Sequence, residues 1–220
     1  MNERSFNFWQ VEITLKQSIT NLRKGEKTAK GLLLAARNLF VLYGYSAVSM
    51  REIALKLGIN AGAIYNHFPS KQEILFRLLE DHMLDLLRQW KVLDYENKEL
   101  SDQLILKKFV NFHINFHINK SKEVFLSYME LRSLDNKNFM KISNLRDEYE
   151  SILQNILFSG RRNGNLSFGD PQITSKVILG MLSSLSHWYH HKGRLGEEEI
   201  KTIYWNLILN SVRNDWKTNV

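Results

Sequence analysis

Apolar residues recur three or four positions apart along most of the 220-residue chain, and this spacing places them on one face of a helix. The chain has only two prolines, and no segment alternates apolar and polar residues as a half-buried strand does. The pattern therefore predicts an all-α fold. Beyond residue 71 it predicts helices at about 72–90, 101–118, 121–135, 138–162, 171–191 and 197–216.

Residues 49–76 carry two helix-start signals on either side of a glycine. Ser49 and Glu52 have the spacing of a capping box, in which each side chain bonds the other residue's backbone N–H, so a helix is expected to start at Met50. Gly58 follows at the position where a left-handed residue ends a helix. The sequence therefore predicts a short helix followed by a tight turn.

A second short helix is expected directly after this turn. Asn60 is a suitable N-cap for a helix over residues 61–67, with Ile64 and Phe68 facing inward and Pro69 ending it. Small residues stand at the start of this helix and hydrogen-bonding residues at its end, which suits a helix that enters the major groove by its N-terminal part. The two segments together predict a helix-turn-helix DNA-binding unit.

The stretch from Lys27 to Asp81 resembles the DNA-binding domain of the TetR family of transcriptional regulators. The resemblance lies in the apolar run LLLAARNLF, the Gly44-Tyr45 pair, and the strings REIA, LGI, IYNHF and SKQEIL. It implies a three-helix helix-turn-helix DNA-binding domain at 27–71 and a helical ligand-binding and dimerisation domain at 72–220. Residues 1–26 form a longer N-terminal extension than the family usually carries, and we expect an amphipathic helix there.

The resemblance also implies which residues face double-stranded operator DNA. By family position, Tyr65, His67 and Lys71 are expected on phosphates, while Arg51 and Asn66 are the expected readers of base edges. The complete set expected at the DNA is Lys27, Lys30, Ser49, Met50, Arg51, Asn60, Ala61, Gly62, Ala63, Tyr65, Asn66, His67 and Lys71.

The distribution of charge supports this interpretation. The chain has a formal net charge of +7, and residues 1–71 hold ten Lys and Arg against four Asp and Glu, so nearly all the excess accompanies the helix-turn-helix. The absence of cysteine excludes disulfides and thiolate metal sites. No leader peptide or membrane-length apolar run is evident, so we expect a cytoplasmic protein with no membrane partner. No cofactor is expected either.

The last two predicted helices carry apolar residues on more than one face. One face each is enough for an internal core, so the surplus predicts a homodimer formed through these two helices. Two DNA readers about 34–36 Å apart would then meet successive major grooves on one side of a duplex.

The middle helices are rich in aromatic residues, and the resemblance implies an effector pocket among them. The strings ELRSL, LRDEY and WYHHKGRL, together with residues 160–166, look like the C-terminal domain of the TetR subgroup that senses acyl-CoA thioesters. A different hydrophobic effector, such as a drug or lipid-like acid, is the alternative. The residues expected at a small hydrophobic effector are Phe109, Phe112, Phe116, Tyr128, Tyr149, Arg161, Arg162 and Trp188, with the two arginines on the phosphates of an acyl-CoA.

Two other functions remain open from the sequence. His113 and His117 are four residues apart on one helix, which is the spacing of two metal ligands and leaves open a metal-responsive effector site or a metal-dependent enzyme. Two polar positions on a mixed helix face explain the pair as well, and no metal site is expected. The small Ala61-Gly62-Ala63 face would suit a protein-interaction module that has lost specific DNA binding. The chain shows no nucleophile elbow, phosphate loop or carboxylate pair, so an enzyme is not expected.

Overall fold

The computed structural model describes residues 24–95, 100–190 and 193–213, and all regular elements in these ranges are helices. The expectation of an all-α fold is confirmed. The chain divides into two compact units, one ending at Leu75 and the other beginning at Phe76. The amphipathic helix expected in the N-terminal extension falls largely outside the described residues. No helix among the described residues is long and apolar enough to cross a membrane.

The first unit contains helices α1 (Lys24–Tyr43) and α2 (Met50–Lys56), a short 3-10 helix (Ala63–Asn66) and the first turn of α3 (Lys71–Tyr95). Helix α1 begins inside the stretch assigned above to the N-terminal extension. The core of the unit is fully buried and apolar, and its largest members are Leu32, Phe40, Ile53, Ile64, Ile74 and Leu75. The inward positions expected for the second short helix of the helix-turn-helix are confirmed, since both Ile64 and Phe68 are buried.

The predicted helix over residues 61–67 is wrong in extent and type, because regular structure covers only the 3-10 helix Ala63–Asn66. Asn60 explains the difference. Its side-chain Oδ1 accepts a hydrogen bond from Gly62 N at 2.8 Å, and its backbone carbonyl accepts one from Ala63 N at 2.9 Å. The first residues after Asn60 are therefore held in a turn, and Pro69 limits the other end.

In its described residues, the second unit contains the rest of α3 and six further helices. These are α4 (Asp102–Asn119), α5 (Ser121–Met129), α6 (Asn136–Arg162), α7 (Pro171–Ser183), α8 (Leu185–Trp188) and α9 (Glu197–Ser211), with a 3-10 turn at Leu131–Ser133. Phe109 lies at the centre of the aromatic core, with its ring centroid 5.1 Å from that of Trp90 and 5.4 Å from that of Tyr149. Helices α3, α4 and α6 thus share one core.

Two predicted helices are interrupted. The helix expected at 121–135 ends at Met129, and the one expected at 171–191 breaks between α7 and α8. At the second break, Ser184 Oγ donates to the carbonyl of Met181 at 2.7 Å and Ser186 Oγ donates to that of Ser183 at 2.8 Å. Serine hydroxyls that bond nearby carbonyls compete with the helix ladder and bend it.

The turn after α6 is fastened to the beginning of α4. Asp102 accepts side-chain amide hydrogen bonds from Asn163 at 2.9 Å and Asn165 at 2.7 Å. Burial alone would raise the pKa of the Asp102 carboxyl, but these donors hold the pKa below its usual value. Gly160 lies at the same junction, where an added Cβ would be 2.7 Å from Leu166 Cγ and 3.3 Å from Asp102 Cβ.

We predict that Gly160→Ala destabilises the protein by about 1–3 kcal/mol, because the new methyl group forces the packed turn apart. Gly180→Ala is the matched control, since Gly180 is also helical but has no atom within 4 Å of an added Cβ. The control should be neutral or stabilising by up to about 1 kcal/mol through helix propensity. Urea unfolding of both variants measures the difference, and equal effects would contradict the close packing.

Candidate DNA-reading surface and effector cavity

Helix α2, the first helix of the helix-turn-helix, begins at the expected capping box. Ser49 Oγ accepts from Glu52 N at 3.2 Å, and a Glu52 carboxylate oxygen accepts from Ser49 N at 2.7 Å. The hydrogen bonds from the Ser49 hydroxyl and backbone lower the pKa of the Glu52 carboxyl, so it remains ionised at neutral pH. Gly58 has φ +72° and makes the expected left-handed turn after α2. The start of α2 and the turn after it are therefore fixed by local hydrogen bonds and backbone conformation.

The expected DNA-facing side chains form two groups by exposure. Exposed residues are Lys30, Ser49, Arg51, Asn60, Gly62, Tyr65 and Asn66, and half-buried residues are Lys27, Met50, Ala61, Ala63, His67 and Lys71. A surface cleft of about 420 Å³ is lined by Arg51, Leu55, Ile59, Asn60 and Ala61. The structure thus brings Arg51 beside the turn, where its guanidinium has no hydrogen bond or ion pair with any described residue.

Lys71 occupies a different environment from the one expected of a phosphate contact. Its Nζ donates to the backbone carbonyls of Val48 at 2.7 Å and Tyr45 at 2.8 Å, with Ser46 O at 3.4 Å, and lies 4.3 Å from the centroid of the Tyr45 ring. An ammonium has three N–H donors, and all three are directed at the loop before α2. The structure therefore assigns Lys71 to holding this loop, and its contact with DNA remains a prediction.

We predict that Lys71→Met lowers the free energy of unfolding by about 1.5–3 kcal/mol, the usual contribution of hydrogen bonds to a charged group. Methionine keeps much of the apolar stem against Tyr45 but removes the donors. Lys56→Met, at an exposed lysine in the last turn of α2, is the control and should leave stability nearly unchanged. If Lys71→Met left stability intact and instead flattened the salt dependence of DNA binding by about one unit, Lys71 would be a phosphate contact.

The second unit contains a partly open cavity of about 250 Å³ among five helices. Its wall combines apolar residues with histidines, hydroxyls and three charged side chains. The lining residues are His82, Met83 and Leu86 from α3, His113 and His117 from α4, Ser127 and Tyr128 from α5, Arg146, Tyr149 and Glu150 from α6, and Lys176, Leu179, Gly180 and Ser183 from α7. The cavity can hold a small molecule that has both apolar and hydrogen-bonding parts.

The histidines of this wall are buried and uncharged. The rings of His113 and His117 stack with centroids 3.8 Å apart, and His117 Nδ1 donates to the carbonyl of His113 at 2.9 Å. Burial lowers the pKa of His82 to about 3 and that of His117 to about 4, and it lowers the pKa of His113 well below its usual value. At neutral pH the three imidazoles therefore act as hydrogen-bonding groups without charge.

The charged groups of the wall are not equally compensated. Glu150 pairs with Lys176 at 2.9 Å, so these two charges offset each other. The Arg146 guanidinium lies 4.9 Å from the centroid of the Tyr128 ring and has no ion pair or hydrogen bond with any described residue. The wall as a whole carries one uncompensated positive charge.

Only two of the eight residues expected at an effector, Tyr128 and Tyr149, line the cavity. Phe109, Phe112 and Phe116 pack in the core instead, because their faces of α4 meet the rings of α3 and α6. The other three lie elsewhere for separate reasons. Arg161 donates to the carbonyl of Gly169 at 2.7 Å, Arg162 is exposed at the end of α6, and Trp188 is 47% exposed.

The sequence interpretation missed His82 and Arg146 as cavity residues. A signal existed for His82, since it interrupts the apolar stripe of α3 formed by Leu79, Met83 and Leu86. Arg146 sits in a polar stretch of α6, and only the tertiary fold reveals that it faces a cavity. The metal alternative finds no support among the described residues, where no cluster of three or more His, Asp or Glu could hold an ion.

Comparison with known proteins decides the family. Residues 99–212 match the family described as "Tetracyclin repressor-like, C-terminal domain", and residues 32–78 match "Bacterial regulatory proteins, tetR family". The chain belongs to the TetR family. The two matches include the helix-turn-helix and most of the cavity wall, so the resemblance noted from the sequence is confirmed.

Individual TetR-family relatives are distant but extend over most of the chain. The transcriptional repressor KstR2 of Rhodococcus jostii strain RHA1 is 23% identical over 88% of this chain and 94% of its own. The structure of PfmR from Thermus thermophilus is 27% identical, with a TM-score of 0.74, over 83% of this chain and 99% of its own. AibR, solved with isovaleryl coenzyme A and operator DNA, is 23% identical with a TM-score of 0.74 over 83% and 98%. Proteins of this family regulate transcription, and their fold is the fold described above.

Proposed function

We propose that this protein is a homodimeric repressor that binds operator DNA and is released when a small hydrophobic effector occupies the cavity. The observation that carries the proposal is the shared helix α3. It supplies Lys71 to the DNA-reading unit and His82, Met83 and Leu86 to the cavity wall. The protein would act on chromosomal DNA in the cytoplasm.

The mechanism requires two conformations that bind the effector unequally. An effector shifts an equilibrium only by its differential affinity for the two states, and a few kcal/mol is enough to empty an operator. A ligand packed against α3 is well placed to bind one position of that helix better than another. Movement of α3 would then act on the loop that Lys71 holds.

Two effector classes are the first to test. An acyl-CoA thioester is supported by the isovaleryl coenzyme A found with the relative AibR. A hydrophobic drug or lipid-like acid is supported by the cavity itself, whose volume of about 250 Å³ suits a compact molecule. In both cases the apolar part of the effector would lie against Met83, Leu86 and Leu179.

We predict that Arg51→Ala and Asn66→Ala each lower affinity for the operator by about 10–100-fold while changing affinity for unrelated DNA much less, because base contacts carry sequence choice. Fluorescence anisotropy with the DNA upstream of the protein's own gene, at two salt concentrations, measures both affinities. Arg88→Ala, at an arginine of α3 whose side chain is 76% exposed, controls for simple loss of charge.

The same measurement separates the repressor from the protein-interaction alternative. Equal affinity of the unmodified protein for upstream and unrelated DNA would mean that the Ala61-Gly62-Ala63 face no longer reads sequence. A clear preference that Arg51→Ala or Asn66→Ala removes supports the repressor.

Dimerisation is supported by a second apolar face on α7 and α9. The inward faces bury Ile178 and Ile208, among others, while large apolar side chains remain exposed on the outward faces. The exposed side chains are Ile173 and Val177 on α7 and Ile203 and Leu207 on α9, between 43% and 60% exposed. Pairs four residues apart on each helix form the stripe that a symmetric partner would cover.

We predict that the double variant Val177→Glu and Leu207→Glu is a folded monomer, because each substitution places a charge in the apolar stripe. Sedimentation velocity measures the oligomeric state. Operator affinity should fall at least tenfold once the two DNA-binding units are no longer held together. Leu104→Glu, on the exposed side of α4 at 48% exposure, should remain a dimer. A double variant that stays dimeric would place the interface elsewhere.

A further inference from the structure

Two polar atoms of cavity-lining residues, His82 Nδ1 and His113 Nε2, have no partner among the described residues. His113 is 2% exposed and its Nε2 is buried without a hydrogen bond, while its Nδ1 lies 3.0 Å from the Tyr149 hydroxyl. A buried polar atom left unpaired costs about 1–3 kcal/mol, so such atoms usually meet a water or a ligand. The location of this atom in a cavity-lining residue indicates where the polar end of a ligand belongs.

The protonation of His113 follows from counting unsatisfied groups. If the Tyr149 hydroxyl donates to His113 Nδ1, only the Nε2–H of His113 remains unpaired. If Nδ1 carried the proton instead, the buried Tyr149 hydroxyl would lack an acceptor and Nε2 would lack a donor. The first arrangement leaves one unpaired polar group and the second leaves two, so His113 carries its proton on Nε2 and presents an N–H donor there. Burial also raises the pKa of Tyr149, which keeps its hydroxyl proton in place.

The second element is the charge of Arg146. Its guanidinium rests on the Tyr128 ring without a carboxylate partner among the described residues, and the Tyr128 hydroxyl is in turn 2.5 Å from Ser183 Oγ. Glu150, the one carboxylate in the described part of the wall, is held by Lys176. An arginine fork binds a carboxylate with two parallel hydrogen bonds, which makes it the natural partner of an acidic head group.

The volume of the cavity limits the rest of the ligand. A cavity of about 150 Å³ holds benzene, so one of about 250 Å³ has room for on the order of ten non-hydrogen atoms. An aliphatic or aryl acid of that size fits, whereas the coenzyme A part of a thioester is several times larger and would have to lie outside this volume. Met83, Leu86 and Leu179 provide the apolar surface for the hydrocarbon part.

We propose that the effector is a free hydrophobic monocarboxylate of about eight carbons, whose carboxylate binds Arg146 and accepts the N–H of His113. This inference rests on the proposed function only in taking the cavity as the effector site. It assigns Arg146 a ligand-binding role and favours the acid over the thioester, because the acyl end of a thioester has no carboxylate for Arg146. The carboxylate supplies the countercharge that Arg146 lacks and the acceptor that His113 lacks.

The test compares octanoate, octanamide and octanoyl-CoA on the full-length protein by isothermal titration calorimetry. Octanoate should bind at least tenfold more tightly than octanamide, since the amide has the same size without the charge. Arg146→Gln should abolish this preference, and Arg146→Lys should retain part of it. Arg162→Gln is the matched control, because Arg162 is exposed on the same helix and should not affect octanoate. Thermal unfolding checks that each variant is folded.

Three outcomes would overturn the proposal: equal binding of octanoate and octanamide, an octanoate preference that survives Arg146→Gln, or binding of octanoyl-CoA alone. DNA release is measured separately by adding octanoate to the protein on its upstream DNA. If octanoate binds through Arg146 but releases no DNA, the carboxylate site stands and the repressor mechanism fails. If DNA is released only by octanoyl-CoA, the repressor stands and the carboxylate site is wrong.

Discussion

Backbone polar groups outside the helices must find partners, and this requirement shapes the DNA-reading unit. A short helix-turn-helix has many such groups, since every helix end leaves N–H or carbonyl groups unpaired. Side chains supply the partners: Glu52 bonds Ser49 N, Asn60 bonds Gly62 N, and Lys71 bonds the carbonyls of Tyr45 and Val48. Local side-chain hydrogen bonds therefore hold the backbone of the loops next to the expected DNA-facing residues.

The cavity of the second unit differs, because some of its buried polar groups have no partner among the described residues. Elsewhere in that unit a buried polar group such as Asp102 is satisfied, here by its two asparagine donors. At the cavity, neither His113 Nε2 nor the charge of Arg146 has a partner among the described residues. Unpaired buried groups of this kind cost stability, and a complementary ligand would offset that cost, so the proposed effector site would select its ligand by chemistry as well as by shape.

The sequence was sufficient to predict those features that depend on residues close together in the chain. Capping of α2 and the glycine turn follow from residues within ten positions of each other, and the expected capping box and left-handed Gly58 are both present. It was insufficient where the outcome depends on packing between distant segments. The phenylalanines of α4 look the same in sequence whether they line a pocket or a core, and Arg146 resembles any surface arginine. The serine hydroxyls that break the helix after Ser183 also act locally, but the spacing of apolar residues contains no information about them, so the break was not predicted.

The assignment of Lys71 to its own loop has a consequence for how DNA is held. If its ammonium is committed to carbonyls, phosphate contacts must come from other exposed donors such as Lys30 and Tyr65. The small residues ahead of the 3-10 helix permit close approach to the groove but offer few hydrogen bonds to bases. Sequence preference would then depend on few direct contacts and more on the spacing of two readers along the duplex and on DNA shape. In the proposed mechanism, an effector bound against α3 would act on this spacing and so on the affinity for the operator.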